Sequence, residues 1–257
     1  MNKDISGSRI EVDLIVCGDA VEEMRKFPDG CIDLVVTSPP YNIRNSTGHG
    51  MTSVAKGLWT SALNEGYQEY EDNLPYEEYV EWQRECLTEM LRIVPENGAV
   101  FYNHKWRVQA GLIQDRHEIL EGFPVRQIII WQRGGGINFN PGYFLPTYEV
   151  IYLIAKPDFK LLPKANHHGD VWVIPPEVNK TEVPHPAPFP VALADRIISS
   201  TDAKVVLDPF MGSGTTAVAA VRNGRHYVGI EKSQKYCELA RKRVKQAEEN
   251  ALTRFFD

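Results

Sequence analysis

The chain has 257 residues, 43% of them hydrophobic, which suffices for one domain with a full core and insertions. Its net charge of −6 argues against a uniformly basic nucleic-acid-binding surface. Four scattered cysteines without a C-x-x-C pair argue against a zinc site or a disulfide framework, and no apolar run has signal-peptide or membrane-spanning character. We therefore expect a soluble cytoplasmic protein without a metal site.

The chain opens with a predicted strand, helix and strand. Val12–Val16 and Ile32–Val36 are apolar runs rich in branched residues, and a short helix, Ala20–Lys26, is predicted between them. Asp19 stands directly before this helix. It is predicted either to cap the helix or to contact a ligand, and the local pattern leaves both interpretations open.

The stretch that ends the second strand, Ser38-Pro39-Pro40-Tyr41, combines hydrogen-bond acceptors with an aromatic ring. Because proline fixes φ and has no N–H, the carbonyls of Ser38 and Pro39 lack ladder partners and can face outward. Ligands of open α/β sheets bind at such strand ends. Ser38 Oγ and the Pro39 carbonyl suit the two hydrogens of a nucleobase amine, and Tyr41 suits the base as a stacking surface. The alternative is a rigid turn without chemistry.

Helices and strands alternate through the rest of the chain. Helices are predicted at 75–94 and 106–120, in a segment ending at 198, in one ending at 221, and after Ser233. Strands are predicted at 99–102, 125–131, 148–155, 204–207 and 226–230, which brings the predicted total to seven. The basic residues of the C-terminal helix indicate a solvated face, whereas those in or near the polar or irregular connectors are the better candidates for phosphate contacts. These residues are Arg44, His49, Lys56, His104, Lys105, Arg107, Arg126 and Arg133.

The segment from 204 to 231 has the order of a βαβ nucleotide site: strand, glycine-containing turn, helix, strand and acid. Gly212 and Gly214 allow close approach of a ligand to the backbone, and the helix N-terminus offers N–H groups to an anion. Glu231 is placed to accept hydrogen bonds from a ribose, and Asp208 to meet a cationic amine. An amine, a carboxylate and a ribose describe S-adenosyl-L-methionine better than NAD. Aromatic rings that can flank its sulfonium or adenine are Tyr41, Phe189 and Phe210.

In their order, these motifs resemble those of the DNA amino-methyltransferases in which the catalytic motif precedes the cofactor motif. Residues 33–42 resemble the catalytic motif, Val206–Ala220 the cofactor loop and Tyr227–Glu231 the ribose-binding strand. Pro186–Ser200 is similar to the segment that closes over the cofactor, and Gly18-Asp19 to the position that meets its adenine. The resemblance extends from about Val12 to Leu239.

The resemblance implies one domain, 1–257, with the α/β fold of class I S-adenosylmethionine-dependent methyltransferases: a seven-stranded, mostly parallel sheet with helices on both faces. It implies S-adenosyl-L-methionine as cofactor and Ser38, Pro39, Pro40 and Tyr41 as catalytic residues. The implied cofactor contacts are Asp19, Phe189, Asp208, Pro209, Phe210, Gly212, Gly214, Thr215 and Glu231. The segments left for recognition of the substrate are 43–74, 132–147 and 156–184.

For the activity, the resemblance implies methylation of an exocyclic amine in double-stranded DNA, on a base flipped out of the helix. Ser38 favours N4 of cytosine, whereas Asn42 is commoner in enzymes that methylate N6 of adenine. A 5-methylcytosine enzyme would need a Pro-Cys nucleophile, which this sequence lacks. A catalytically silent DNA-binding protein of the same fold is the alternative from another class. A second copy of the chain and a cognate restriction endonuclease are possible partners.

Overall fold

The structure is a computed structural model that describes residues 10–42, 74–109, 112–134, 141–177 and 189–253. The helices are α1 (Ala20–Met24), α2 (Tyr76–Ile93), α3 (His117–Leu120), α4 (Val191–Ser199), α5 (Thr215–Arg222) and α6 (Gln234–Thr253). The strands are β1 (Leu14–Cys17), β2 (Leu34–Thr37), β3 (Ala99–His104), β4 (Arg107–Gln109), β5 (Leu112–Gln114), β6 (Val125–Gln132), β7 (Tyr148–Ala155), β8 (Val171–Val173), β9 (Val205–Asp208) and β10 (His226–Glu231). Among these described segments, no helix is both long and apolar enough to span a lipid bilayer.

The main sheet has the strand order β1-β10-β9-β2-β3-β7-β6-β8. Neighbouring strands pair in parallel from β1 to β3, whereas β7 pairs antiparallel with both β3 and β6. The chain runs from β2 outward to β3, but from β9 outward in the other direction to β10. The order therefore reverses between β2 and β9, which is where open α/β sheets bind ligands.

Helices cover both faces of the sheet. Leu34 and Val36 of β2 belong to the hydrophobic cluster that includes residues of α4, α5 and α6. Val35, between them, belongs to the opposite cluster with residues of α1 and α2. Strands covered on both faces need apolar residues at every position, which explains why β2 reads as a continuous apolar run. This architecture confirms the predicted α/β fold with a mostly parallel sheet.

The main sheet has eight strands in the described segments, not the predicted seven. The additional strand, β8, pairs in parallel with β6 and lies in a segment predicted to be irregular. Trp172 is buried, whereas Val171 and Val173 on either side are exposed. In sequence, Val171–Ile174 is a short apolar run that ends at Pro175 and shows no apolar/polar alternation, so it did not indicate a strand.

The helix predicted at 106–120 is also wrong. Strands β4 and β5 form a separate antiparallel pair there, and only the four-residue helix α3 follows. Leu112 and Ile113 remain 71% and 58% exposed, so the apolar positions that suggested a helical stripe do not share a buried face. Arg116, before α3, has a left-handed φ of 68°, which interrupts any continuous helix.

Candidate active site

The two sequence motifs meet where the strand order reverses. Thr37, the last residue of β2, donates a hydrogen bond of 2.7 Å from Oγ1 to Oδ1 of Asp208, the last residue of β9. The Ser-Pro-Pro-Tyr loop and the glycine loop therefore leave the sheet side by side. Asp19 follows β1, three strand spacings from β2, or roughly 14 Å.

Asp208 is 1% exposed and links the Ser-Pro-Pro-Tyr loop to the glycine loop at the end of the sheet. Besides Thr37, Oδ1 accepts a hydrogen bond from the Phe210 N–H (3.1 Å), and Oδ2 accepts one from Thr216 Oγ1 (2.7 Å). Burial raises the pKa of this carboxyl to about 6, although these hydrogen bonds oppose the shift; the charge of Glu231 adds to it. Three donors already occupy the carboxylate, so contact with a cationic amine stays a prediction.

The glycine loop is held against the end of β10. Glu231 accepts hydrogen bonds from the Gly212 N–H at Oε2 (2.8 Å) and from the Ser233 N–H at Oε1 (2.9 Å). Gly212 and Gly214 have φ angles of 51° and 87°, a region that favours glycine. A carboxylate offers several acceptor positions, and contact of Glu231 with a ribose stays a prediction.

The start of α5 offers donors to an anion. Gly214 is the N-cap residue and supplies no side-chain cap, and Thr215 Oγ1 is buried without a hydrogen-bond partner within the described structure. Arg243 donates hydrogen bonds from Nη1 to the main-chain oxygen (2.7 Å) and the hydroxyl (2.6 Å) of Ser213. Free N–H groups at a helix start together with an unpaired hydroxyl fit a carboxylate, such as that of an amino-acid cofactor.

The remaining predicted cofactor residues frame the same edge of the sheet. Asp19 caps α1 by accepting a hydrogen bond of 3.0 Å from the Val21 N–H, so one of its two open interpretations is confirmed. Phe189 packs into the core on one face of the sheet, and Phe210 packs against the cluster on the other. Pro209 is buried between Asp208 and Phe210. Contacts of these residues with a cofactor stay predictions.

Helix α2 and the end of β3 hold the Ser-Pro-Pro-Tyr loop. The ring of Tyr41 stacks on His104 with centroids 4.8 Å apart and planes at 29°. Tyr79 OH donates a hydrogen bond of 2.9 Å to the Pro40 carbonyl and lies 2.7 Å from Nε2 of His104. The guanidinium of Arg116, fully buried, lies 5.4 Å from the centre of the Tyr79 ring. One face of Tyr41 is thus covered by His104, and stacking of this ring on a base stays a prediction.

A polar network lies behind this loop. Tyr41 OH lies 2.5 Å from Ser38 Oγ and donates a hydrogen bond of 3.2 Å to Oε2 of Glu149. Asn103 Nδ2 donates to Tyr41 OH (2.7 Å) and to the same Glu149 oxygen (3.0 Å). Arg133 Nε lies 3.7 Å from Oε1 of Glu149. Glu149 is only 6% exposed, so a buried carboxylate stands two hydrogen bonds away from Ser38.

Asn103 and Glu149 were not among the predicted site residues. Glu149 is the lone charged residue in an otherwise apolar strand, and Asn103 directly follows the predicted strand 99–102; these were the available signals. Asn103 lies near the carboxyl end of β3, at the ligand-binding edge. Glu149 is the second residue of β7, and it reaches that edge only because β7 runs antiparallel, a direction that apolar periodicity does not encode.

Two of the basic residues predicted to contact phosphate have other roles. His104 is fully buried. Arg126 donates hydrogen bonds of 2.7 Å to the main-chain oxygens of Phe159 and Lys156. Three others, Arg44, His49 and Lys56, lie outside the described residues.

Comparison with known proteins identifies relatives along most of the chain. A family model described as DNA methylase, covering N6 and N4 enzymes, matches residues 32–242. Type II methyltransferase M2.DpnII of Streptococcus pneumoniae is 29% identical over 258 residues, which cover 92% of this chain and 91% of the relative. Type II methyltransferase M.BglII of Bacillus subtilis is 25% identical over 265 residues, which cover 87% of this chain but only 66% of that relative.

Among solved structures, TTHA0409 from Thermus thermophilus, complexed with S-adenosyl-L-methionine, is similar to this chain. The TM-score is 0.64 at 26% sequence identity, and the match covers 91% of this chain and 95% of that structure. The overall likeness confirms that the sheet and its helices have the fold of a known methylase structure.

Proposed function

The chain belongs to the N6/N4 DNA methylase family, and from this premise we propose that it methylates an exocyclic base amine in double-stranded DNA. The observation that carries the proposal is the Thr37–Asp208 hydrogen bond. It fixes the loop suited to a base amine beside the loop suited to a nucleoside cofactor. Because an amine inside the duplex is inaccessible, the target base must flip out to reach Ser38.

S-adenosyl-L-methionine is the proposed cofactor, and it supplies an electrophilic methyl group when bound. The residues fit it: Thr215 Oγ1 and the α5 N-terminus suit its carboxylate, and Glu231 suits its ribose. The TTHA0409 complex with the same compound supports this assignment.

The chain contributes positioning and electrostatics, without a covalent enzyme intermediate. Ser38 Oγ and the Pro39 carbonyl accept the two amine hydrogens, which directs the nitrogen lone pair away from the ring plane. In the described part of the chain, the Pro39 carbonyl accepts no hydrogen bond from protein, so it remains available. The Tyr41 ring, which His104 holds in place, is the proposed stacking surface for the base.

We favour cytosine N4 as the target over adenine N6. Ser38 supports cytosine by the resemblance stated above, and Asn42 was the contrary indication. Asn42 is buried with a left-handed φ of 56°, and its Nδ2 donates a hydrogen bond of 2.8 Å to the Leu74 carbonyl. This amide has a local structural role, so its presence is weak support for adenine.

The direct test is incubation of the purified protein with labelled S-adenosyl-L-methionine and unmethylated DNA of mixed sequence. We expect label in DNA, and nucleoside mass spectrometry should identify N4-methylcytosine. N6-methyladenine would overturn the choice of base alone. Label in RNA but not in DNA would overturn the substrate, and the absence of transfer would favour the silent DNA-binding alternative.

Ser38→Ala tests the catalytic assignment. We expect the rate of methyl transfer to fall at least about 100-fold, because one positioned hydrogen-bond partner of the reacting group is lost. Calorimetry should show unchanged cofactor affinity. Ser200→Ala is a suitable control, because Ser200 Oγ bonds to the Arg196 carbonyl within the α4 end (2.6 Å). An active Ser38→Ala enzyme would remove Ser38 from the mechanism.

The type II names of two relatives support a cognate restriction endonuclease as a cellular partner. If the chain has this role, DNA from an expressing strain should resist one member of a panel of type II endonucleases. The resistant site would also reveal the recognition sequence.

A further inference from the structure

In the buried network behind Ser38, the donor and acceptor of each hydrogen bond can be assigned. An ionised carboxylate only accepts hydrogen bonds, so both partners of Glu149 Oε2, Tyr41 OH and Asn103 Nδ2, must donate to it. This also fixes which end of the Asn103 amide faces the network, since the amide oxygen would repel the carboxylate. Arg133 Nε, 3.7 Å from Oε1, places a positive charge on the other side of the carboxylate.

The same assignment determines where the Ser38 hydroxyl proton points. Tyr41 has one hydroxyl proton, and in this arrangement it points to Glu149. The Tyr41 oxygen is then an acceptor, which agrees with the 2.7 Å hydrogen bond that it receives from Asn103 Nδ2. Ser38 Oγ lies 2.5 Å from that same oxygen, so it is the Ser38 proton that lies between them. With its single proton directed to Tyr41, Ser38 presents only lone pairs to its surroundings.

We propose that Glu149 is a positioning residue for methyl transfer, which acts through Tyr41 to make Ser38 an obligate acceptor for the target amine. The proposal rests on the function proposed above and adds a residue to it. Without the carboxylate, Tyr41 can donate to Ser38 instead. The Ser38 proton is then free to point at the amine, where it competes with the amine hydrogens and attracts the lone pair needed for the reaction.

The reaction balances with Ser38 in this state. The amine nitrogen forms a bond to the methyl carbon, and the carbon–sulfur bond breaks with its electron pair remaining on sulfur. The nitrogen becomes cationic and loses one of its protons to water. Glu149 is required only to set the hydrogen-bond direction, so it is not assigned the proton.

The test replaces the carboxylate by side chains of similar length. Glu149→Met removes the acceptor, and we expect kcat to fall at least about tenfold, with little change in cofactor affinity or in KM for unmethylated plasmid DNA. Glu149→Gln keeps an oxygen that can accept from Tyr41, so it should retain more activity than Glu149→Met. Equal losses in the two variants would overturn the proposal, because they would show that the charge matters and the acceptor does not.

A double-mutant cycle excludes a merely structural role. Tyr41→Phe keeps the ring but removes the hydroxyl through which Glu149 acts. Adding Glu149→Gln or Glu149→Met to Tyr41→Phe should change kcat by no more than about two- to threefold. Losses that multiply would contradict action through Tyr41, and the Gln variant serves this test even if the Met variant does not fold.

The control is Glu89→Gln, which removes a carboxylate that pairs with Arg92 (2.7 Å) far from this network and should leave kcat unchanged. The failure of the two proposals can be distinguished. If the wild-type protein transfers no label, the proposed function fails. If the wild type is active and Glu149→Met is equally active, only the positioning role fails.

Discussion

At the scale of single residues, Asp208 shows how a buried charge can organise a site. A carboxylate that is 1% exposed is unfavourable unless hydrogen bonds compensate for lost hydration. Here two threonine hydroxyls and one main-chain N–H compensate in part, and the pKa is still raised to about 6. The residue therefore links the loops at the expense of stability at neutral pH.

Asp208→Asn should reveal this effect as a change in pH dependence. The folded protein binds the Asp208 proton more tightly than the unfolded chain does, so this residue makes stability fall as pH rises from about 4 to about 6. The fall amounts to roughly 3 kcal/mol for about two pKa units. Urea denaturation between pH 4 and 7 should show this fall in the wild type relative to Asp208→Asn. Parallel curves would mean that Asp208 has an ordinary pKa in the folded state.

At the scale of elements, the glycine loop depends on the helices around it. A Cβ on Gly214 would lie 3.0 Å from the Cβ and 3.1 Å from the Cα of Ala240 in α6. The glycine thus satisfies two requirements, a φ of 87° and close packing of α6 against the start of α5. Neither requirement involves a ligand, and the direct contact of Gly214 with the cofactor stays a prediction.

Gly214→Ala should destabilise the protein more than Gly224→Ala. Gly224 also has positive φ, but a Cβ there would meet no atom within 4 Å. The loss of stability in Gly224→Ala therefore measures backbone strain alone. We expect a loss of about 1 kcal/mol for Gly224→Ala and about 2–3 kcal/mol for Gly214→Ala. Only Gly214→Ala should weaken cofactor binding. Thermal melts and calorimetry on the pair provide the comparison, and equal losses would refute the packing argument.

The elements that could be predicted from sequence are those whose chemistry is local. Prolines 39 and 40 mark the end of β2, and Gly212 and Gly214 mark the turn after β9, because each imposes its own backbone geometry. Glu149 could not be predicted as a site residue, since its place depends on the direction of β7 and on pairing with a strand that ends 45 residues earlier, at His104. The helix at 106–120 was predicted wrongly because the spacing of apolar residues does not show whether those residues pack against a core.

At the scale of the molecule, the reversal of strand order divides the proposed site into a predicted base half and a predicted cofactor half. The β2 side carries Ser38 to Tyr41, and the β9 side carries the glycine loop and, beyond it, Glu231. Backbone pairing between β2 and β9 is short, with Leu34 opposite Val206 and Val35 opposite Leu207. The Thr37–Asp208 hydrogen bond continues the contact to the edge where the loops begin.

Thr37→Val keeps the side-chain shape and removes this link. We expect a loss of roughly 1.5–3 kcal/mol in unfolding free energy, because a buried carboxylate loses a donor. We also expect a further raised pKa for Asp208 and a lower kcat. Thr201→Val is the matched control, since buried Thr201 donates only to the Ile198 carbonyl (3.0 Å), and it should leave catalysis unchanged. Similar kinetic effects in both variants would argue that the link does not align the halves.

The antiparallel strand β7 holds Glu149 in place independently of the loop that precedes it. Strands β6 and β7 remain paired up to Gln132 and Tyr148, and the Arg133 N–H bonds to the Thr147 carbonyl (3.0 Å). Glu149 is therefore anchored by the ladder itself, whatever chain joins the two strands. Because 132–147 is a predicted recognition segment, we expect that a longer or shorter junction there would change the DNA sequence preference while the geometry around Glu149 is kept.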